Sequence, residues 1–166
     1  MKLTDITSSK TVFMPIGPSG SGKSTLYRTL KQQHPDLLTF SLDNLRHEWY
    51  DSHDYAKAWQ ASVADKEFRN KANARFIEMI KSGKPLYIDN TNLTPKGRKF
   101  YLNHACQHGY KTVGIEFSVD LQTLIDRQKT RGDKQVPEQA VRQQFNSLVG
   151  AQVGEFDEVI YHGDSK

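Results

Sequence analysis

The sequence predicts an α/β fold: a five-stranded, mostly parallel sheet with helices on both faces. Short, β-prone apolar runs alternate with stretches of helical spacing along the 166 residues. The first such run, Thr11–Ile16, passes through a glycine-rich turn directly into a helical stretch. Two acids, Asp43 and Asp89, each follow the end of a predicted strand, where open α/β sheets gather their ligands.

The elements follow in order. Thr11-Val12-Phe13-Met14-Pro15-Ile16 is the first strand, and Thr25–Leu30 lies in the first helix, which His34-Pro35 ends. Leu37–Ser41 reads as the second strand, and Asp43 stands at or beside the start of a short helix to Tyr50. Residues from about 52 to 81 carry little β signal and form one helix, closed at Ser82-Gly83. Lys84–Asp89 is the third strand. Thr94-Pro95 supplies an N-cap and a first-turn proline for a helix to His108, with Gly109 beyond it. Lys111–Phe117 is the fourth strand, and Asp120 caps a helix to about Thr130. The polar segment Arg131–Val136 precedes Pro137 and a last helix to about Leu148. Phe156–Tyr161 is the fifth strand.

Length suits one domain, residues 1–166, able to bury roughly 70% of its unfolded surface. Residues 1–10 read as a flexible leader without the apolar core of a signal peptide. No apolar stretch reaches the roughly 18 residues of a membrane span. Cys106 is the single cysteine, expected to be a small packing residue; a disulfide-free chain points to the cytoplasm. The net charge is +4, and bases dominate from Lys66 to Lys99. That run fits either a polyanionic partner or a set of solvated helix faces.

Gly17-Pro-Ser19-Gly20-Ser21-Gly22-Lys23-Ser24-Thr25 fits the phosphate-binding pattern G-x-x-x-x-G-K-[ST]. A turn of this kind aims successive backbone N–H groups at phosphate oxygens, with the helix dipole behind them. Lys23 would reach the β- and γ-phosphates, and Ser24 (or Thr25) would ligate Mg²⁺. The expected ligands are therefore ATP, or another nucleoside triphosphate, and Mg²⁺.

Phosphoryl transfer also needs a group that takes the nucleophile's proton. Asp43 is a candidate, and Arg46, one turn on, could hold a substrate phosphate beside it. The structural alternative makes Asp43 a helix N-cap and Arg46 a surface charge. Asp89, ahead of Asn90, Thr91 and Asn92, stands where phosphate-loop enzymes hold Mg²⁺ or its water shell; the same D-N-T-N run would also favour a turn. Arg127 and Arg131 lie one turn apart, fit either to close over a triphosphate or to complement a helix dipole. His104 and His108 share a helix face but lack the acid or thiol neighbours of a metal site. Trp49, Tyr50, Tyr55 and Trp59 could stack on nucleobases, with core packing the role of at least two of them.

Together these segments resemble the 5′-hydroxyl polynucleotide kinase family, over about Thr11 to Val149. The matching residues are the Gly17–Thr25 loop, Asp43 with Arg46, Asp89-Asn90-Thr91-Asn92-Leu93-Thr94-Pro95, and Arg127 with Arg131-Gly132 and Val136-Pro137. One departure is Asn90, where phage-type members place their acid; here the acid is Asp89, as in the animal form. No D-x-D-G-T phosphatase motif occurs.

The resemblance implies a three-layer P-loop kinase fold with a lid near residues 127–137, and kinase activity without a companion 3′-phosphatase. Asp43 would be general base, and Lys23 and Arg131 would act on the transferred phosphate. Arg46, Asp89, Asn90 and Thr91 would bind the acceptor. Gly17, Ser19–Thr25, Arg127 and Arg131 would bind the donor. Implied partners are single-stranded or duplex 5′ ends of DNA or RNA, possible association with a second copy, and no membrane. Alternatives are a kinase for another hydroxyl (a hydroxymethylated base, a nucleoside or a small sugar) and a nucleotide-dependent binding module.

Overall fold

The computed structural model describes residues 10–50 and 54–163; the expected leader lies, apart from Lys10, outside the described residues. Five strands, β1 (Thr11–Ile16), β2 (Leu38–Phe40), β3 (Leu86–Ile88), β4 (Lys111–Ser118) and β5 (Glu158–Gly163), form one sheet in the order β2-β3-β1-β4-β5. Every registered pairing is parallel. Helices α1 (Lys23–Gln33), α2 (Leu42–Tyr50), α3 (Tyr55–Ala64), α4 (Phe68–Lys81), α5 (Pro95–Gln107), α6 (Leu121–Gln128) and α7 (Glu138–Ser147) connect or follow the strands.

The alternation of side chains along β1 builds the layers. Val12 and Met14 join Phe40, Leu86 and Ile88 on one face, under Phe76 and Ile80 of α4 and Tyr101 and Ala105 of α5. Phe13 points the other way, into a cluster with Tyr87, Val113 and Ile115 beneath Leu26 and Leu30 of α1. A third cluster, Leu124, Ile125, Val136 and Val141, joins α6 to α7. The expected three-layer arrangement is thus present, with the third cluster beside the loop after β1.

Pro15 sits in a central strand although it has no N–H for a ladder. The pairing of β1 with β3 covers only Val12 and Phe13, and Pro15 lies beyond it. The Asn92 side-chain amide donates to the Pro15 carbonyl at 2.8 Å and to the Ile88 carbonyl at 3.1 Å. Asn92 has φ 50° and is buried, so this residue staples the ends of β1 and β3 together.

Four expectations change. The single helix expected over 52–81 is two, α3 and α4. At Asp65 the backbone turns extended, and its carboxylate accepts from Glu67 N–H at 2.9 Å and Tyr50 O–H at 2.8 Å. The N-cap of α2 is Ser41, whose hydroxyl accepts from Asn44 N–H at 3.2 Å, which leaves Asp43 inside the first turn and free of capping. Cys106 is exposed rather than packed. Arg98, counted in the basic run, is fully buried. Its guanidinium makes two bonds to Glu155, at 2.8 and 2.9 Å, and one each to the carbonyls of Asn92, Val149 and Gly150. Lys71 and Arg75 of the same run are paired with Asp65 and Glu48.

Candidate active site

The strand order places β3 next to β1, so the loop after β3 faces the loop after β1. Gly17 N–H donates to the Thr91 carbonyl at 3.0 Å and ties the two loops together. A Cβ on Gly17 would lie 2.8 Å from the Ser21 hydroxyl oxygen, so this position admits only glycine in this geometry. Gly20 has φ 92°, and a Cβ there would also approach Gln128 at 3.0 Å. Gly20, at a position the phosphate pattern leaves open, thus lets α6 close on the loop, and Gly17 leaves room for Ser21 and for Phe117 of β4.

Lys23 begins α1 and is buried. Its ammonium donates to the carbonyls of Gly17 at 2.8 Å and Pro18 at 2.7 Å, which holds the loop in a curl. Burial lowers its pKa from 10.5 to about 8; Asp89 opposes that shift, Arg131 adds to it, and Asp43 opposes it more weakly. Four of the residues singled out from sequence therefore share one electrostatic field. Tyr87, reaching up from β3, donates its hydroxyl to the Lys23 carbonyl at 2.7 Å and fixes the first turn of α1.

Ser24 O–H donates to Asp89 Oδ2 at 2.8 Å. Thr25 is occupied differently, its hydroxyl accepting from Arg28 at 3.1 Å on the outer side of α1. Of the two hydroxyls considered for a cation, Ser24 is the one that faces a carboxylate. An alcohol and a carboxylate are hard oxygen donors of the kind Mg²⁺ takes when phosphates and waters complete its shell. No cluster of three or more His, Cys, Asp or Glu able to hold a metal occurs among the described residues. Ser24 and Asp89 thus fit a magnesium ion whose shell a nucleotide's phosphates and waters would complete.

Asn90, on the loop after β3, accepts from Leu42 N–H at 2.9 Å and so anchors the start of α2. That anchor sets Asp43 on the cleft. Arg46 Nη1 donates to Asp43 Oδ1 at 2.7 Å, and Arg46 Nε donates to the Ser62 hydroxyl at 3.0 Å. The Arg46 side chain is 9% exposed and that of Asp43 52%, so a buried cation supports an accessible carboxylate. Arg46 is not the solvated surface charge of the structural alternative.

The loop is covered from α6 and α7. Arg127 donates to the Gly20 carbonyl at 2.9 Å, and Arg131 donates to the Ser19 hydroxyl. Gln128, nearly fully buried, donates to the Ser19 carbonyl at 3.1 Å and accepts from Val136 N–H at 3.0 Å. Gln144 of α7 accepts from Ser19 N–H at 2.8 Å. Arginines and amides together latch residues 127–137 onto the turn. The sequence does not mark Gln128 or Gln144, because a glutamine that satisfies a distant backbone carries no local signature. Tyr87 and Ser62 go unmarked for the same reason.

One cleft of about 1370 Å³ takes in Ser19–Thr25 from the loop and Asp43, Arg46, Tyr55 and Trp59 from α2 and α3. Asp89, Asn90, Thr91, Arg127 and Arg131 line it as well. Every residue assigned from sequence to catalysis, donor, acceptor or metal binding lines this cleft except Gly17. Trp49 and Tyr50 instead pack against the core, as expected for two of the four aromatics. His108 Nδ1 lies 2.8 Å from the His104 carbonyl.

Among the described residues no helix is long and apolar enough to cross a membrane. The chain is 25% identical to a protein of Autographa californica nuclear polyhedrosis virus named "Putative bifunctional polynucleotide kinase/RNA ligase", over 95% of this chain. It spans 23% of that protein's length. Among solved structures, a fungal RNA kinase matches with TM-score 0.61 at 18% identity, over 96% of this chain and 40% of that one. A gluconokinase from Sinorhizobium meliloti 1021 matches with TM-score 0.64 at 16% identity, over 96% and 85% of the two chains. These structural likenesses establish a P-loop kinase-like α/β fold. The model of the AAA domain family matches residues 12–150, from the first strand to the segment that Arg98 anchors, and the chain belongs to that family.

Proposed function

We propose that this protein is a nucleotide-dependent kinase that transfers the γ-phosphate of ATP to the 5′-hydroxyl end of DNA or RNA. One observation carries the reading: an accessible carboxylate, Asp43, is held by a buried arginine across the same cleft as the phosphate loop. A protein that only binds nucleotide has no use for such a carboxylate. The viral relative named as a polynucleotide kinase/RNA ligase supports the choice of acceptor.

In this reading the loop amides and Lys23 bind the donor's phosphates, and Arg127 and Arg131 close over them as part of a lid spanning residues 127–137. Ser24 and Asp89 would hold Mg²⁺, which would supply neutralisation of phosphate charge. Asp43 accepts the proton of the acceptor hydroxyl as its oxygen bonds to the γ-phosphorus and the bond to the β-phosphate oxygen breaks, releasing ADP. Arg46 keeps Asp43 oriented and offers charge to the acceptor's first internucleotide phosphate. Beside the acceptor, Asn90 anchors α2 through the Leu42 N–H, and the Thr91 carbonyl ties its loop to Gly17.

A kinase for a smaller hydroxyl compound is the second reading. It is favoured by the state of the basic run, where Arg98 is buried and Lys71 and Arg75 are already paired. Labelled ATP with a 5′-hydroxyl oligonucleotide, the same oligonucleotide 5′-phosphorylated, free nucleosides and sugar acids separates the two. Label on the first substrate alone is the expected result. Label confined to a nucleoside or sugar acid would replace this reading with the second.

A further inference from the structure

Trp59 and Tyr55 of α3 line the acceptor end of the cleft, yet no step of phosphoryl transfer uses them. Trp59 is 44% exposed, a large apolar surface left open inside a charged cleft. It is nevertheless held in place. The Arg46 guanidinium lies 4.3 Å from the centroid of its ring, and the Tyr55 ring stacks beside it at 6.3 Å and 21°. The same guanidinium holds Asp43 at 2.7 Å, so one planar group separates the indole from the carboxylate. Tyr55 in turn packs against the cluster of Leu124, Ile125, Val136 and Val141, which braces the pair from the lid side.

A fixed, open indole gives up little conformational freedom when a flat partner settles on it. Nucleobases are such partners, since each presents a π-face whatever its hydrogen-bonding edge. A sugar acid presents none.

We propose that Trp59, backed by Tyr55, is a stacking shelf for the base of the acceptor's terminal nucleotide. The shelf makes a base next to the reacting hydroxyl a recognition requirement, without selecting among the four bases. This inference rests on the nucleic-acid reading of the acceptor.

The test compares KM for a 5′-hydroxyl oligonucleotide with KM for the same oligonucleotide abasic at its terminal position, in wild type, Trp59→Ala and Trp59→Phe. Base–aromatic stacking predicts a wild-type penalty of roughly 5- to 100-fold for the abasic end. That penalty should disappear in Trp59→Ala and largely return in Trp59→Phe, whatever each variant's kcat, because the ratio of the two KM values is read within one protein. Because the chain has two tryptophans, a Trp49→Phe background leaves Trp59 as the reporter, and its fluorescence should be quenched by the intact oligonucleotide and not by the abasic one. This readout also decides the matter if Trp59→Ala does not fold. Phosphorylation of both oligonucleotides with equal KM, or equal quenching by both, overturns the shelf and leaves the kinase reading intact. Absence of transfer to any 5′-hydroxyl end overturns that reading and the shelf with it.

Discussion

Ser24 donates its hydroxyl proton to Asp89 Oδ2 across 2.8 Å, joining the first turn of α1 to the end of β3. The two residues are 65 positions apart in the chain, and the contact exists because β3 lies next to β1 in the sheet. The pair puts an alcohol and a carboxylate where the cation of a bound nucleotide would need them.

Replacing Asp89 with Asn should therefore preserve the fold and weaken the response to Mg²⁺. Loss of such an orienting carboxylate typically costs about 10- to 100-fold in metal affinity or activity. A Mg²⁺ titration of turnover should show the half-saturating concentration rise by that factor. An unchanged titration would remove Asp89 from the metal site.

Asp43→Ala should bind ATP as the wild type does and lose transfer by at least about 10²-fold. Isothermal titration with ATP and a labelled-phosphate assay read the two effects separately. Arg46→Lys should also impair transfer, because an ammonium cannot bond Asp43 and Ser62 while stacking on Trp59. Full turnover by Asp43→Ala would eliminate it as the base.

Lys23 gives the site a pH dependence of definite sign. Its pKa is lowered to about 8, mainly by burial, so the free protein carries the ammonium at neutral pH and loses it above that value. Phosphate binding needs the ammonium. Affinity for ADP should be level between about pH 6.5 and 7.5 and fall above about pH 8, by at most about tenfold per pH unit. Titration calorimetry across that range measures it, and Lys23→Arg should flatten the profile. For folding the sign is opposite. The unfolded chain binds more protons between about 8 and 10.5, so this group's contribution to stability rises with pH through that window.

Arg98 should matter to stability more than any exposed base of its run. Its side chain is 0% exposed, and Glu155, its partner, is 12% exposed. Arg98→Met leaves Glu155 and three carbonyls without their donor, and breaking a buried pair from one side costs about 3–5 kcal/mol. Urea denaturation at neutral pH reads this as a fall in midpoint. Burial raises the Glu155 pKa, but its bonds to Arg98 and to Gln152 N–H outweigh burial and hold it below 4.5. The stability this carboxylate provides is thus complete above its unfolded value and lost as pH falls through the lower folded one.

Much of this site is legible in the amino-acid sequence. The loop pattern, Asp43, Arg46, Asp89 and the paired arginines are all local signals, each tied to a strand end or a helix turn, and all of them line the cleft except Gly17 and Pro18. The split between α3 and α4 is not legible there, because the local bond from Glu67 N–H to Asp65 is joined by one from Tyr50, on a different helix, that only the tertiary fold supplies. Nor are Gln128 and Gln144, whose partner Ser19 lies more than a hundred residues away in the chain.

Taken alone, the sequence determined the α/β class, the strands and all the helices but the split over 52–81, and the chemistry available to the site, because periodicity, caps and the glycine loop act over a few residues. Only the tertiary structure decided which groups meet. It set β3 beside β1, which brought Asp89 to Ser24. It buried Arg98 among carbonyls and Glu155, removing it from the basic face. It set Asn90 against the Leu42 N–H, which anchored the start of α2 and placed Asp43 on the cleft. Such choices depend on which distant backbone groups are left wanting partners once the sheet has closed, and a linear pattern does not carry that information.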